Sequence, residues 1–178
     1  MRLFVAVNIP DALKAKIGGM AKTLDMPGLR RTSEKNLHLT LKFLGDVSED
    51  KLTGVVAALR RVSLHPFKAS IGDYGFFPDS RNIRVVWLGL ARGREEMAKL
   101  HWIIDEALAR EGFARERNFE SHLTVARASF LKDKGLLLQR MQGFDFMGEF
   151  EVSGFDLMES FLKQGGPEYR VVSSFNLG

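Results

Sequence analysis

The chain has 178 residues, of which 45% are hydrophobic and 27% charged, and its formal net charge is +4. These proportions are typical of a folded globular protein and argue against extensive disorder. The absence of cysteine excludes disulfides, zinc–thiolate sites and cysteine nucleophiles. A mildly basic chain is compatible with an anionic ligand such as a nucleotide or an RNA end, although many proteins without such a ligand carry the same charge.

Apolar runs in the chain are short. The longest, residues 85–91, is well below the roughly 20 residues that a membrane-spanning helix needs. The apolar start, residues 3–7, is too short for the core of a secretory signal. We expect a cytoplasmic monomer without a membrane segment, folded as one domain over residues 1–178.

The first half of the chain predicts two strands, each followed by a helix. Residues 2–9 are a predicted buried strand, and a helix begins at Pro10. A polar approach over residues 30–36 leads into a second apolar strand, residues 37–44. Ser48 is the predicted N-cap of the next helix, whose apolar positions have helical spacing: Leu52, Val55, Val56 and Leu59.

The second half predicts a hairpin, two helices and three further strands. In order, these are strands at 67–73 and 83–90, a helix at 94–110, a strand at 122–127, a helix at 132–141, and strands at 150–159 and 169–175. A turn is expected at 164–167, where glycine and proline are concentrated. The order βαβαββαβαββ is typical of an α+β protein with mostly antiparallel sheets.

The triplet His-Leu-Thr occurs twice, at 38–40 and at 122–124, once in each half of the chain. Because the chain has only four histidines, the repetition indicates one shared site between two related lobes with a pseudo-two-fold relation. The other two histidines are expected to have structural roles. His65 precedes a proline in a loop, and His101 lies on the long helix, at its surface or partly buried.

Side chains on a strand alternate between its two faces. In the first motif, alternation places His38, Thr40 and Lys42 on a polar face that can line a cleft. The opposite face packs on the core and contains Leu37, Leu39, Leu41 and Phe43. In the second motif the histidine and threonine likewise share a face, and alternation directs Arg127 away from them unless the strand contains a bulge.

Two histidines that face each other across a cleft suit acid–base chemistry at phosphorus. Because histidine titrates near neutral pH, one ring can accept a proton from water while the other donates one to the leaving oxygen. The hydroxyls of Thr40 and Thr124 can donate hydrogen bonds to the phosphate oxygens. A metal site is the rival interpretation, but it needs a third protein ligand, and threonine is a poor one. No metal-binding motif is present in the sequence, so we expect neither a metal nor a cofactor.

Two stretches, His38-Leu-Thr-Leu-Lys-Phe-Leu-Gly45 and Ser121-His-Leu-Thr-Val-Ala-Arg127, resemble the paired motifs of the 2H phosphoesterase superfamily. Within it, the chain is most similar to the RNA 2′,3′-cyclic phosphodiesterases, also called 2′-5′ RNA ligases. The similarity is broad, and shorter stretches share it: residues 2–7, Asn36, residues 83–89 and residues 166–169. The paired motifs are highly specific for the superfamily, and the shorter stretches favour this branch.

The resemblance implies a bilobal α+β fold of two mostly antiparallel sheets with flanking helices and a cleft that both motifs line. It also implies metal-independent hydrolysis of RNA or nucleotide 2′,3′-cyclic phosphate ends to 2′-phosphates. By this resemblance His38 is the proton donor and His122 the proton acceptor, and the substrate-binding residues are Thr40, Thr124 and Arg127. Because the two motifs are alike, the sequence itself does not assign the acid and the base.

Two other functions use the same residues. An RNA ligase would join the cyclic phosphate to a 5′-hydroxyl instead of water, and a non-catalytic module would bind RNA ends without turnover. Around the site, Arg30, Arg31 and Lys35 are candidates for steering the RNA backbone, with a solvated basic loop as the alternative. Candidates for stacking on a base, with core packing as the alternative, are Tyr74, Phe76 and Phe77.

Overall fold

The computed structural model describes residues 1–145, 147–164 and 166–178, and this part of the chain contains nine strands and four α-helices. In chain order they are β1 (Arg2–Asn8), α1 (Asp11–Ala21), β2 (Leu29–Arg31), β3 (His38–Asp46), α2 (Glu49–Leu59), β4 (Phe67–Pro78), β5 (Ile83–Arg92), α3 (Arg94–Ala109), β6 (His122–Ala128), α4 (Lys134–Gln142), β7 (Gly148–Val152), β8 (Gly154–Lys163) and β9 (Gly166–Asn176). Two short 3₁₀ turns, Lys22–Leu24 and Glu34–Asn36, follow α1 and precede β3. The predicted α+β class is confirmed.

The strands form two antiparallel sheets, in the orders β3-β1-β8-β9 and β2-β6-β5-β4-β7. One His-Leu-Thr motif begins β3, at the edge of the first sheet, and the other begins β6, inside the second sheet. β3 and β6 lie close to each other although they are not hydrogen-bonded neighbours. The two sheets therefore bring the two motifs together.

One cluster of buried apolar side chains contains residues from both sheets and from the helices. Leu39 of β3 and Leu123 of β6, the middle residues of the two motifs, both belong to this cluster. The two sheets and the helices therefore share one hydrophobic core among the described residues. Within the described ranges, none of the helices combines the length and the apolar character needed to cross a membrane.

The polar approach to the first motif contains a strand that was not predicted. β2 pairs antiparallel with β6, and Arg30 lies opposite Arg127. A strand of three residues is too short to show alternation, so its sequence reads as loop. The pairing brings this basic segment next to the second motif.

The strand predicted at 150–159 is two strands in different sheets. β7 pairs with β4 in the second sheet, whereas β8 pairs with β1 in the first. The change of sheet occurs at Ser153, whose carbonyl oxygen accepts a hydrogen bond from Leu177 N–H at 2.8 Å. Hydrophobic alternation does not show the change, because each strand has its own buried residues. The turn expected at 164–167 connects β8 and β9, and its residue 165 lies outside the described residues.

A β-bulge follows the first motif and reverses the predicted alternation. Thr40 and Lys42 lie opposite consecutive residues of β1, so Leu41 is an extra residue in β3. Lys42, predicted on the polar face of the motif, is only 2% exposed, whereas Phe43, predicted in the core, is 67% exposed. Both predictions are wrong, because strict alternation fails where one strand gains an unpaired residue.

The second motif has the equivalent bulge. Thr124 and Ala126 lie opposite consecutive residues of β5, so Val125 is the extra residue in β6. The bulge therefore places Arg127 on the same face of β6 as His122, so that its side chain reaches the site. Leu41 and Val125 occupy the same position relative to their motifs, so the bulge is part of the structural repeat.

Candidate active site

A cleft of about 1240 Å³ is lined by residues of both sheets and both motifs. All five residues that the sequence singled out lie along it: His38, Thr40, His122, Thr124 and Arg127. The two histidines and the two threonines are half-buried, whereas Arg127 is exposed. The fold therefore collects at one place side chains that are far apart in the chain.

A backbone carbonyl two residues earlier holds each histidine ring in the same way. His38 Nδ1–H donates to Asn36 O at 2.7 Å, and His122 Nδ1–H donates to Glu120 O at 2.8 Å. Because a carbonyl oxygen only accepts, each neutral ring carries its proton on Nδ1 and keeps a lone pair on Nε2. In His38 this Nε2 accepts from the Thr40 hydroxyl at 3.0 Å. The Nε2 atoms are therefore the ones that can exchange protons with a substrate.

Burial makes both histidines weaker bases than free imidazole. It lowers the pKa of His38 from 6.5 to about 4, and the hydrogen bond to Asn36 O offsets this only in part. The pKa of His122 is also lowered, by burial first and then by the positive charge of Arg127. Both lowered pKa values favour the neutral rings at neutral pH, and an adjacent negative charge favours the protonated form of such a ring.

Aromatic side chains contribute to this burial. The rings of Phe4 and Tyr169 lie with their centroids 5.0 Å and 5.2 Å from that of His38. The Phe77 ring, one of the three predicted stacking candidates, lies edge-on to His122 at 4.9 Å. Sequence reasoning missed Phe4 and Tyr169 as site residues, although the stretches that contain them, residues 2–7 and 166–169, share the family resemblance.

The other two histidines lie outside the cleft lining, as expected. His65 is exposed in the loop before β4. His101 is fully buried, more deeply than predicted, and its Nδ1–H donates to Leu41 O at 2.6 Å. The remaining stacking candidates, Tyr74 and Phe76, pack edge to face with centroids 6.1 Å apart and border the core.

Specific contacts hold both bulges. The carbonyl oxygen of the first bulge residue accepts from His101, and that of Val125 accepts from Thr32 N–H at 2.8 Å. Lys42, directly after the first bulge, forms a buried ion pair with Asp105 at 2.5 Å. These contacts fix the backbone that directs Phe43 and Arg127 into the cleft.

Basic side chains line one side of the cleft. Arg30, Arg31 and Lys35, the three candidates for steering RNA, all belong to it. Lys35 and Lys163 both pair with the Glu168 carboxylate, at 3.1 Å and 2.6 Å. A cleft with this lining attracts a polyanion, whose phosphates compete with a single carboxylate for these cations.

The two motifs, their paired threonines and the basic lining together form a site whose residue types suit a phosphate ester as ligand. Nowhere in the described ranges do three histidine, aspartate or glutamate side chains group in a way that could hold a metal ion.

Known proteins identify the family. Residues 7–87 match the family described as LigT-like phosphoesterases. The RNA 2′,3′-cyclic phosphodiesterase of Methanocaldococcus jannaschii is 36% identical over 98% of this chain and 100% of its own length. That of Archaeoglobus fulgidus is 36% identical over 98% of this chain and 99% of its own. The chain belongs to the LigT-like phosphoesterases of the 2H superfamily, and the resemblance seen in its motifs is confirmed.

Solved structures share the whole fold. A protein of Thermus thermophilus superposes with a TM-score of 0.84 at 26% identity, over 99% of this chain and 98% of that one. Escherichia coli LigT complexed with 3′-AMP superposes with a TM-score of 0.82 at 27% identity, over 99% and 97%. The predicted fold is thereby confirmed over nearly the full chain.

Proposed function

We propose that the protein hydrolyses RNA or nucleotide 2′,3′-cyclic phosphate ends to 2′-phosphates without a metal ion. One observation carries the proposal: each sheet presents a His-Leu-Thr strand to the same basic cleft. Relatives named RNA 2′,3′-cyclic phosphodiesterase, 36% identical over nearly the full chain, support this substrate class. Escherichia coli LigT complexed with 3′-AMP supports a nucleotide ligand.

In the proposed reaction, water attacks phosphorus and the bond from phosphorus to the ribose 3′ oxygen breaks. His122 Nε2 accepts a proton from the water as the new P–O bond forms. Protonated His38 donates its Nε2 proton to the departing 3′ oxygen, so the proton count balances and a 2′-phosphate remains. Exchange with solvent then returns both rings to their starting states.

The substrate itself supplies the charge that this cycle needs. The negative phosphate favours the protonated form of an adjacent ring, and we assign the proton to His38. A bound phosphate raises the pKa of His38 from about 4 toward neutral pH, and a general acid is most effective when its pKa lies near the working pH. Once its Nε2 is protonated, His38 no longer accepts from Thr40, whose hydroxyl is then free to donate to a phosphate oxygen.

The second motif supplies the matching contacts. Thr124 donates to the other non-bridging oxygen, and the exposed Arg127 guanidinium neutralises charge on the pentavalent transition state. Arg31 and Lys35, which also line the cleft, attract the negatively charged RNA backbone to it. The predicted cytoplasmic location and monomeric state remain parts of this proposal.

Hydrolysis of a short RNA that ends in a 2′,3′-cyclic phosphate, with EDTA present throughout, tests the proposal. We expect turnover to a 2′-phosphate. A 3′-phosphate product would contradict the assigned leaving group. Turnover that is lost in EDTA and restored by a divalent metal would contradict the metal-free chemistry.

The same assay distinguishes the alternative functions when a second RNA with a 5′-hydroxyl is added. A joined product would identify a ligase, since the hydroxyl then replaces water at the same site. Binding that weakens with salt, with neither hydrolysis nor joining, would identify a non-catalytic RNA-end module.

A further inference from the structure

A second groove opens from the catalytic cleft. It has a volume of about 620 Å³ and shares four residues with the cleft: Thr40, Phe43, Phe77 and His122. Its other wall is formed by Trp102 of α3 and by residues 116–120, in the segment between α3 and β6. The reaction described above leaves this groove without a role.

Aromatic rings are exposed to solvent in the groove. Trp102 is 42% exposed, and the still more exposed Phe43 lies in the same groove. A single exposed apolar residue is ordinary, but two large rings that line one groove beside a phosphoesterase site are a binding feature. Flat exposed rings favour a ligand that has flat faces of its own, such as a nucleobase.

A buried histidine, His101, packs against two aromatic rings of the groove. The His101 ring stacks on Phe119 with centroids 4.0 Å apart and planes 8° apart, and lies 4.4 Å from the Trp102 ring. His101 is itself fixed by its hydrogen bond to Leu41 O, at the bulge that directs Phe43. The aromatic surface of the groove is thus tied to the first motif and is held in place before a ligand arrives.

The polar groups of the groove can form hydrogen bonds with a base. Glu116, Arg117 and Glu120 lie along it, and the two carboxylates can accept hydrogen bonds from the amino groups of bases. Asn118, which is exposed there, can both donate and accept. This mixed lining differs from that of the main cleft, where Arg30, Arg31 and Lys35 are expected to attract the phosphates of the strand.

We propose that the groove binds the base of the second nucleotide from the RNA end, stacked on Trp102. The inference rests on the proposed function, because the main cleft has to hold the terminal cyclic phosphate for the groove to receive its neighbour. The main cleft, at about 1240 Å³, has room for the whole terminal nucleotide, which leaves the groove for the next one. The shared wall at Phe43 and Phe77 lets one strand occupy both cavities.

Paired substrates test this assignment. For a 2′,3′-cyclic mononucleotide and a dinucleotide with the same cyclic phosphate end, the wild-type protein is expected to prefer the dinucleotide in kcat/KM by about 10-fold, the effect of stacking one base. Trp102→Ala is expected to remove this preference, and Trp102→Phe to retain most of it. Phe130→Ala is the matched control, because this ring is also exposed, at 62%, and lines neither cavity. A Trp102→Ala protein that keeps the wild-type preference would overturn the assignment.

Calorimetric binding of the non-reacting products separates this inference from the proposed function. A dinucleotide with a 2′-phosphate end is expected to bind about 10-fold more tightly than the corresponding mononucleotide, and Trp102→Ala to abolish the difference. This result with no turnover of either substrate would refute the function and keep the groove assignment. Equal affinities for the two products would refute the groove assignment. An effect of Trp102→Ala confined to the joining of a second RNA would also refute it, since the groove would then hold that second strand.

Discussion

Replacing His38 with glutamine removes a titrating group whose pKa burial lowers from 6.5 to about 4. In the wild-type protein, the unfolded chain binds a proton at His38 below about pH 6.5, whereas the folded protein binds it only near pH 4. Protons therefore favour the unfolded state, and the stability linked to neutral His38 is lost as the pH falls through this window. Since a tenfold difference in proton affinity is worth about 1.4 kcal/mol, the full effect is about 3 kcal/mol.

Urea unfolding at about pH 7.5 and about pH 4 measures this effect directly. The wild-type free energy of unfolding is expected to fall between these pH values by up to about 3 kcal/mol more than that of His38→Gln. His65→Gln is the matched control and is expected to keep the wild-type acid dependence, since its side chain is exposed in a loop. Identical acid dependence in wild type and His38→Gln, or a His38 NMR titration near its ordinary value of 6.5, would refute the reasoning.

Three single-contact changes have separate readouts. Lys42→Met leaves Asp105 buried without its 2.5 Å partner, and the free energy of unfolding in urea is expected to fall by about 3–5 kcal/mol. A second change, Asp105→Leu, is expected to recover part of this loss. No recovery would argue against the ion pair as the cause. Gly28→Ala is expected to lower Tm clearly, because Gly28 has φ +84° and an added Cβ would overlap the Phe130 carbonyl. An unchanged Tm would contradict this close contact. Arg127→Ala is expected to lower kcat/KM for a cyclic phosphate by about 100-fold. Because the side chain is exposed, the free energy of unfolding in urea is expected to stay unchanged. A clear fall in that free energy would indicate a structural role instead.

The placement of the motif side chains followed from the sequence because it depends on a spacing of two residues. His38 and Thr40, like His122 and Thr124, precede their bulges, so simple alternation applies to them. The next residues were not predictable in the same way. An extra residue at Leu41 depends on how β3 pairs with β1, and pairing between distant strands leaves no mark on a local pattern.

Other features of the site and fold depend on similar long-range contacts. Tyr169 reaches His38 because β8 and β9 form a hairpin beside β1, a contact that the local pattern of β9 does not show. Ser153 separates strands of two sheets although the chain around it continues an apolar pattern. Trp102 lies on α3, whose helical periodicity does not show the groove that its ring lines. In each case, the partner that decides the role is distant in sequence.

In the proposed function, His38 and His122 act as a proton-exchanging pair on a cyclic phosphate. The most direct test of this claim is the turnover number for an RNA with a 2′,3′-cyclic phosphate end, in EDTA, for the wild type, His38→Ala and His122→Ala. Because each general acid or base is worth about 100- to 10,000-fold, each single variant is expected to lose at least about 100-fold in kcat while remaining folded. Removing both is expected to cost less than the product of the two single losses, since the two rings act together. Turnover near the wild-type rate in either single variant would contradict the claim.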